Sequence, residues 1–186
     1  MQYDENSPFY KLLATKYKED EEDLGIAILE SQPEIATFEW PGPDEEGQPF
    51  IEGSTALHYA ANDGKDSLVL KLLAHGADIN ASNANWYRSV LSWAANKARI
   101  STIRLLLENG ADANSLDAVH AAAYGGSACG DGEEQEYAES LRILIEAGAG
   151  MNDRRHYQNQ TPLRVALNSG NRGAIEYLSS IGAAEV

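Results

Sequence analysis

The feature that most constrains this chain is a pair of short apolar runs, divided by glycine, that recurs along the sequence. In its clearest copy the runs cover residues 56–61 and 68–73, and both follow helical spacing. Gly64 separates the runs and Gly76 follows the second, where a glycine commonly ends a helix. Each predicted helix has only about ten residues, too short to be stable alone in water. Such a pair needs neighbours to cover its apolar face.

Three further copies of the pattern supply those neighbours. Thr55, the first residue of the clearest copy, stands where a hydroxyl N-cap belongs. The starts of the four copies read TALHYAA at residues 55–61, SVLSWAA at 89–95, DAVHAAA at 117–123 and TPLRVAL at 161–167. Their ends read KLLAHGADIN at 71–80, RLLLENGADAN at 104–114, RILIEAGAGMN at 142–152 and YLSSIGAA at 177–184. A period near 33 residues built on T-P-L-H-x-A is the ankyrin pattern, so the chain resembles the ankyrin-repeat family from residue 50 to residue 186.

The resemblance implies an all-α fold, an ankyrin-repeat solenoid of about ten helices stacked in two layers. We expect one domain over residues 1–186, with four recognisable repeats behind a degenerate N-terminal capping repeat. The predicted parts are the capping repeat at residues 7–40, an acidic Pro/Gly loop at 41–49, repeats at 50–82, 83–115, 116–152 and 153–186, and an inserted loop at 125–132 within the third repeat.

The capping repeat is predicted from two helical patterns between residues 7 and 31. Their apolar side chains are expected to face inward, and an acidic run between them is expected to be solvated. The inward-facing residues are Leu12, Leu13, Tyr17, Leu24, Ile28 and Leu29.

The third repeat departs from the others. Ala123 and Leu144 are 21 positions apart, whereas the matching residues Ala61 and Leu72 are 11 apart. The excess is expected to loop out over residues 125–132, with the helix resuming near Glu133. Repeat solenoids tolerate such insertions, which often lie on the binding face.

Charge restricts the possible partners. The chain has 14 Lys and Arg against 29 Asp and Glu, hence a net charge of −15. This excess argues against binding to nucleic acid or to an anionic membrane surface, because both require cations on the protein. Two alternatives stay open: the acidity keeps the solenoid soluble, or it steers a basic protein partner toward the chain.

Three sequence features favour a cytoplasmic setting. The chain has no apolar run of 18 residues, and its first residues lack the basic-then-apolar pattern of a secretory signal. Its single cysteine, Cys129, has no second cysteine with which to form an internal disulfide. We therefore expect a cytoplasmic protein, and we expect it to be a monomer.

The sequence offers little for catalysis. His58 and His120 occupy the signature histidine position, where the resemblance implies that the side chain ties repeats together. Cys129 is followed by Asp131, Glu133 and Glu134, whose charges disfavour a reactive thiolate. No two histidines have the spacing of a metal-binding pair. We expect no catalytic, cofactor-binding or metal-binding residues.

The candidate binding residues are chosen by residue type and by the resemblance. Trp86, Tyr87 and Arg88 lie at the tip of a predicted hairpin and belong to the residue types most enriched among interface hot spots. Alternatively, Trp86 folds onto the neighbouring repeat. The resemblance implies that hairpin tips and the exposed face of the first helices form a concave binding surface. The other predicted partner-binding residues are Asn62, Asp63, Asn96, Lys97 and Tyr124 on first helices, and Tyr157 and Gln158 in the last hairpin.

The resulting hypothesis is a non-enzymatic protein–protein interaction module, such as a scaffold or adaptor. The alternative is an acidic inhibitor or immunity-type protein that masks a basic enzyme such as a nuclease. A third class, an enzyme or metal-dependent regulator, would need an ion or ligand held by residues 125–136.

Overall fold

The computed structural model describes residues 9, 11–12, 22–40, 51–83, 89–115, 117–125, 134–155 and 159–185, and within these ranges the protein is all-α. Two isolated antiparallel bridges, Glu39 with Thr55 and Ser82 with Ser89, are the extended pairings described. In chain order the helices are α1 Glu22–Ser31, a 3-10 helix Pro33–Thr37, α2 Ala56–Asp63, α3 Asp66–Ala74, α4 Val90–Asn96, α5 Ile100–Glu108, α6 Ala118–Tyr124, α7 Glu134–Glu146, α8 Pro162–Ser169 and α9 Arg172–Ser180.

The helices form two layers. Helices α2, α4, α6 and α8 contact one another in sequence and make one layer, which we call the first helices. Helices α1, α3, α5, α7 and α9 contact one another in the same way and make the second layer. Each first helix also packs against the second helix that follows it, and one apolar core runs between the layers. This arrangement confirms the predicted all-α solenoid.

Hydroxyl residues are the N-caps of three first helices, α2, α4 and α8. Thr55 is the N-cap of α2, as predicted, and the hydroxyl of Ser89 accepts a hydrogen bond from the Ser92 amide at 3.1 Å at the start of α4. Thr161 does the same for α8, accepting from the Arg164 amide at 3.2 Å. At the other end of α2, Gly64 has φ +73°, the left-handed conformation that commonly ends a helix.

Ala98 adopts the conformation that glycine adopts elsewhere in the fold. Its φ is +50° in the turn after α4, where Gly64 follows α2 and Gly170 follows α8 with φ +75°. A left-handed residue with a Cβ costs about 1–2 kcal/mol, whereas glycine loses about 0.5–1 kcal/mol through the entropy of the unfolded chain. We expect Ala98→Gly to raise the free energy of unfolding by up to about 1 kcal/mol.

Urea denaturation at equilibrium measures this effect. Ala27→Gly, in the exposed interior of α1, is the matched control and is expected to destabilise by about 0.5–1 kcal/mol. A lower urea midpoint for Ala98→Gly would show that packing of the Ala98 methyl group outweighs the backbone strain.

The segment before α2 is held by aromatic packing and by a short pairing of extended backbone. The Trp40 ring stacks on Phe9, with ring centroids 5.9 Å apart, and Phe38 packs against both rings. The Trp40 amide donates to the Ser54 carbonyl at 2.8 Å, and the Gly53 amide donates to the Trp40 carbonyl at 2.7 Å. These bonds bring together the two ends of the segment that contains the predicted acidic loop, residues 41–49, which itself lies outside the described residues.

One predicted core residue of the capping repeat is wrong. Leu12 and Leu29 are buried and Ile28 is half-buried, as expected, but Leu24 is 49% exposed. The buried residue one turn before Leu29 is Gly25, because positions four apart share a helix face and Leu24 lies five before Leu29. Leu13 and Tyr17 lie outside the described residues.

No helix within the described ranges combines the length and the apolar character needed to cross a membrane.

Candidate functional site

Half of the predicted binding residues lie in the described part of the chain, and they share one edge of the first-helix layer. Asn62 and Asp63 end α2, Asn96 ends α4 with Lys97 directly after it, and Tyr124 ends α6. All five are partly exposed. We call them the C-terminal row. The others, Trp86, Tyr87, Arg88, Tyr157 and Gln158, lie outside the described residues and stay predictions.

Hydrogen bonds between neighbouring helix pairs show that the C-terminal ends of the first helices lie side by side. The Arg99 Nε, just after α4, donates to the Asn62 carbonyl at 3.0 Å. The Ser169 hydroxyl, at the end of α8, donates to the Ala123 carbonyl at 3.3 Å near the end of α6. Because α4 and α6 also contact each other, the C-terminal row is a continuous strip across α2, α4 and α6.

Each junction along this strip is made by a different kind of side chain. Besides Arg99, the Tyr137 hydroxyl donates to the Asn96 carbonyl at 3.3 Å, and the Asn171 Nδ2 donates to the carbonyls of Ala122, at 3.2 Å, and Gly125. We call Arg99, Tyr137 and Asn171 the junction residues. Each comes from the next helix pair and binds carbonyl groups that the end of a first helix leaves without an intrahelical partner.

The Tyr137 junction accommodates the extra residues of the third pair. Helix α7 has 13 residues, whereas α3, α5 and α9 have 9, so Tyr137 lies in an added first turn. Its ring is fully buried against Gly125, where an added Cβ would overlap the ring and lie 2.8 Å from the Asn96 carbonyl oxygen. Glycine at position 125 is what lets the ring reach α4. Helix α7 begins one residue after the predicted Glu133, and the extent of the insertion stays a prediction because residues 126–133 are outside the described ranges.

At the ends of α2 and α4, two buried polar atoms of the C-terminal row lack a hydrogen-bond partner among the described residues. The Asn62 Nδ2 donates to the Asp63 Oδ1 at 2.8 Å, while the Asp63 Oδ2 is buried without a hydrogen-bond partner. The Asn96 Nδ2 is likewise buried without one. Buried polar groups of this kind cost about 1–3 kcal/mol each, and they concentrate where a protein meets something else.

Asn168 is a further member of the strip and was not among the residues predicted from the sequence. Asn168 follows TPLRVAL directly, as Asn62 follows TALHYAA and Asn96 follows SVLSWAA, and it is exposed near the end of α8. The same offset from the signature would have identified it.

Three cations of the second-helix layer, Lys71, Arg104 and Arg142, form ion pairs. Lys71 of α3 pairs with Glu30 of α1 at 2.8 Å, and Arg104 of α5 pairs with Glu139 of α7 at 2.6 Å. Arg142 also binds Glu139, and this hydrogen bond is the main cause of the lowered pKa of the Glu139 carboxyl. These pairs are exposed and each contributes little to stability. They do neutralise the charges of these side chains on the second-helix layer.

The two arginines before the last first helix, Arg154 and Arg155, also contact groups of the protein. Arg155 binds the Asp153 carboxylate at 2.5 Å, and its guanidinium holds the pKa of that carboxyl below its usual value. The Arg154 Nε donates to the Asn159 carbonyl at 3.2 Å. Both arginines are therefore engaged by groups of their own segment.

The histidines of the signature have structural contacts. The His120 Nε2 is 3.0 Å from the carbonyl oxygens of both Asp153 and Gln160, which ties α6 to the next helix pair as the resemblance implies. The His58 Nδ1 accepts a hydrogen bond from the Thr55 amide at 3.1 Å, which closes the start of its own helix. Among the side chains described, no group of three or more His, Cys, Asp or Glu is placed to hold a metal ion.

Comparison with known proteins agrees with this architecture. A family model described as ankyrin repeats, in three copies, matches residues 24–117 and again residues 91–185. Together the two matches cover most of the chain, while the number of repeats stays a prediction. No protein of curated function matches the sequence significantly.

Proposed function

The chain belongs to the ankyrin-repeat family, whose members generally act as protein–protein interaction modules, and we propose that it binds a protein partner on the concave face of the first helices and on the hairpin tips. Catalysis forms no part of this proposal, because ankyrin-repeat domains are typically non-enzymatic. The partner would contact the C-terminal row, Asn168 and the predicted hairpin residues Trp86, Tyr87, Arg88, Tyr157 and Gln158.

The observation that carries the proposal is the strip of partly exposed polar side chains across α2, α4 and α6. Their helix ends are held in register by Arg99 and Tyr137, so the backbone positions that carry these side chains are set before any partner arrives. Such preorganisation lowers the entropic cost of binding. A standard interface buries about 1,600 Å² in total, which several neighbouring repeats can supply.

Comparative affinity capture tests the proposed face. The wild-type protein, immobilised, is exposed to lysate of the organism that encodes it, beside a variant with Asp63, Asn96 and Lys97 replaced by alanine. The control variant carries Ser67→Ala and Ser101→Ala, two exposed positions on the second helices α3 and α5. We expect a protein that the wild type and the control retain and that the C-terminal-row variant loses. Equal retention by all three would contradict the proposed face.

The hairpin tip gives a second prediction. Replacing both Trp86 and Tyr87 by alanine is expected to weaken partner binding by more than about 2 kcal/mol, because aromatic anchors carry much of the energy of an interface. The melting temperature is expected to change little, since the rings are predicted to be exposed. Calorimetric titration and thermal unfolding measure the two effects, and a large fall in the melting temperature would assign the rings to the core instead.

A basic partner is the more specific form of this proposal. The chain has a net charge of −15, and the described Arg155, Arg104 and Arg142 are already paired with carboxylates. An acidic protein that masks a basic enzyme such as a nuclease is the alternative function consistent with this excess. Its signature would be an association rate that falls steeply as ionic strength rises, whereas a scaffold with a neutral partner would show little dependence on salt.

We also propose that the protein acts as a cytoplasmic monomer. The support for the location is the single cysteine, which leaves the chain without the internal disulfides typical of secreted proteins. The monomeric state is checked by sedimentation, where a mass above 20.2 kDa for the purified chain would contradict it.

A further inference from the structure

Three of the four first helices carry an asparagine as their last or next-to-last residue. Asn62, Asn96 and Asn168 each follow the signature directly, and Tyr124 takes this position in α6. We call Asn62, Asn96 and Asn168 the asparagine row. The C-terminal ends of these helices lie side by side, so the row crosses the first-helix layer with one side chain on each of three helices.

The asparagine row contributes little to holding the helix pairs together. The Asn62 Nδ2 binds its sequence neighbour Asp63, and the Asn168 Nδ2 binds the Gln160 Oε1 of its own pair at 3.3 Å. The Asn96 Nδ2 has no partner within the described part of the chain. Other asparagines of the chain do join successive pairs. The Asn80 Oδ1 accepts from the Asp112 amide at 2.9 Å, and the Asn152 Oδ1 accepts from the Ala184 amide at 2.6 Å.

Asparagine at these positions therefore has a cost and does not join one helix pair to the next. It is a weak helix former, and the unpaired amide of Asn96 adds the penalty of a buried polar group. Alanine is the best helix former and occupies the preceding position in α2 and α4, at Ala61 and Ala95. A ligand that binds from outside the fold would supply hydrogen-bond partners for these amides.

We infer that the asparagine row binds the main chain of an extended peptide segment of the partner, an inference that rests on the proposed function. A carboxamide has both donors and an acceptor, which match the N–H and C=O groups of a peptide unit. Packed helices are about 8–10 Å apart and an extended chain rises about 3.3 Å per residue, so the peptide would advance about three residues from one first helix to the next.

Asn96 is the central contact of this arrangement. Its side chain is partly exposed as a whole, and the torsion that orients a carboxamide is soft, so rotation brings the unpaired Nδ2 to the surface. A peptide carbonyl there would supply the missing acceptor. Beside Asn62, the unpaired Oδ2 of Asp63 favours a donor or a basic side chain at that end of the peptide.

A library of random linear peptides displayed on phage, selected on the immobilised wild-type protein, tests the inference. We expect enriched sequences whose synthetic copies bind the wild type and bind Asn96→Ala and Asn168→Ala about tenfold or more weakly, the effect of losing one buried hydrogen bond. N-methylation of individual peptide amides is expected to abolish binding at positions about three residues apart. Asn109→Ala, an exposed asparagine that follows α5 in the other layer, is the matched control and is expected to bind like the wild type.

Thermal unfolding separates a binding role from a structural one. Asn96→Ala is expected to keep or raise the melting temperature, because its Nδ2 makes no bond in the fold. Asn168→Ala, at an exposed position, is the second variant should Asn96→Ala prove unstable.

Absence of enriched peptides, or peptides that bind both variants as tightly as the wild type, would overturn the inference. If lysate capture still depends on the C-terminal row in that case, the proposed function stands without it; if capture is also independent of the row, both fail.

Discussion

Replacing Tyr137 by alanine is expected to lower the free energy of unfolding by about 3–5 kcal/mol, the cost typical of removing a large aromatic side chain from a core. The ring is fully buried, it fills the space that Gly125 leaves open, and its hydroxyl donates to the carbonyl of Asn96 at 3.3 Å. Loss of the ring would leave a cavity between α6 and α7 and would remove the junction between α4 and α7.

Chemical denaturation followed by circular dichroism measures the loss, with Tyr137→Phe as the matched variant. Phenylalanine keeps the ring and deletes only the hydroxyl, so it is expected to cost about 1 kcal/mol. If Tyr137→Ala cost no more than Tyr137→Phe, the ring would not be part of the core and the close packing at Gly125 would have no energetic role.

Replacing Leu72 by alanine is the other substitution with a large expected effect, a destabilisation of about 2–5 kcal/mol. Leu72 is fully buried in α3 and belongs to the core between the layers. Its neighbour in the same helix, Leu70, is 47% exposed. Leu70→Ala is therefore the matched control, and it is expected to change stability by less than about 0.5 kcal/mol.

The two leucine variants are compared by their urea midpoints and slopes. A fall in the midpoint at constant slope for Leu72→Ala alone would agree with the assignment of faces on α3. Similar losses for both variants would mean that Leu70 is covered by another part of the protein or by a second molecule.

Residues that repeat with a fixed period made the fold predictable from sequence. Leu72 and Leu106 recur 34 positions apart and are both fully buried, and Gly64 ends α2 as expected. Asn62 and Asn96, two of the predicted binding residues, are separated by the same period. In the structure they lie at matching ends of the neighbouring helices α2 and α4. Periodic signals are informative because each helix pair repeats the same local geometry.

Contacts that depend on three-dimensional register were not predictable in this way. Tyr137 belongs to an added helical turn with no counterpart in the other pairs, so no periodic comparison points to its bond with Asn96. Leu24 was misassigned because the inner position of α1 is occupied by Gly25, which carries no apolar signal. The hairpin residues such as Trp86 lie outside the described part of the chain, and their role as anchors stays a prediction.

The three junction residues differ in chemistry. The strength of the contact between one helix pair and the next can therefore be changed at each junction separately. Arg99 contributes a cation, Tyr137 a buried phenol and Asn171 an amide that also caps α9 through the Ala174 amide at 3.1 Å. In a linear array each unit interacts only with its immediate neighbours. A single substitution at one junction therefore alters the cohesion of one step without changing which side chains the first helices expose, so that resistance to unfolding and choice of partner can be altered by substitutions at different positions over evolution.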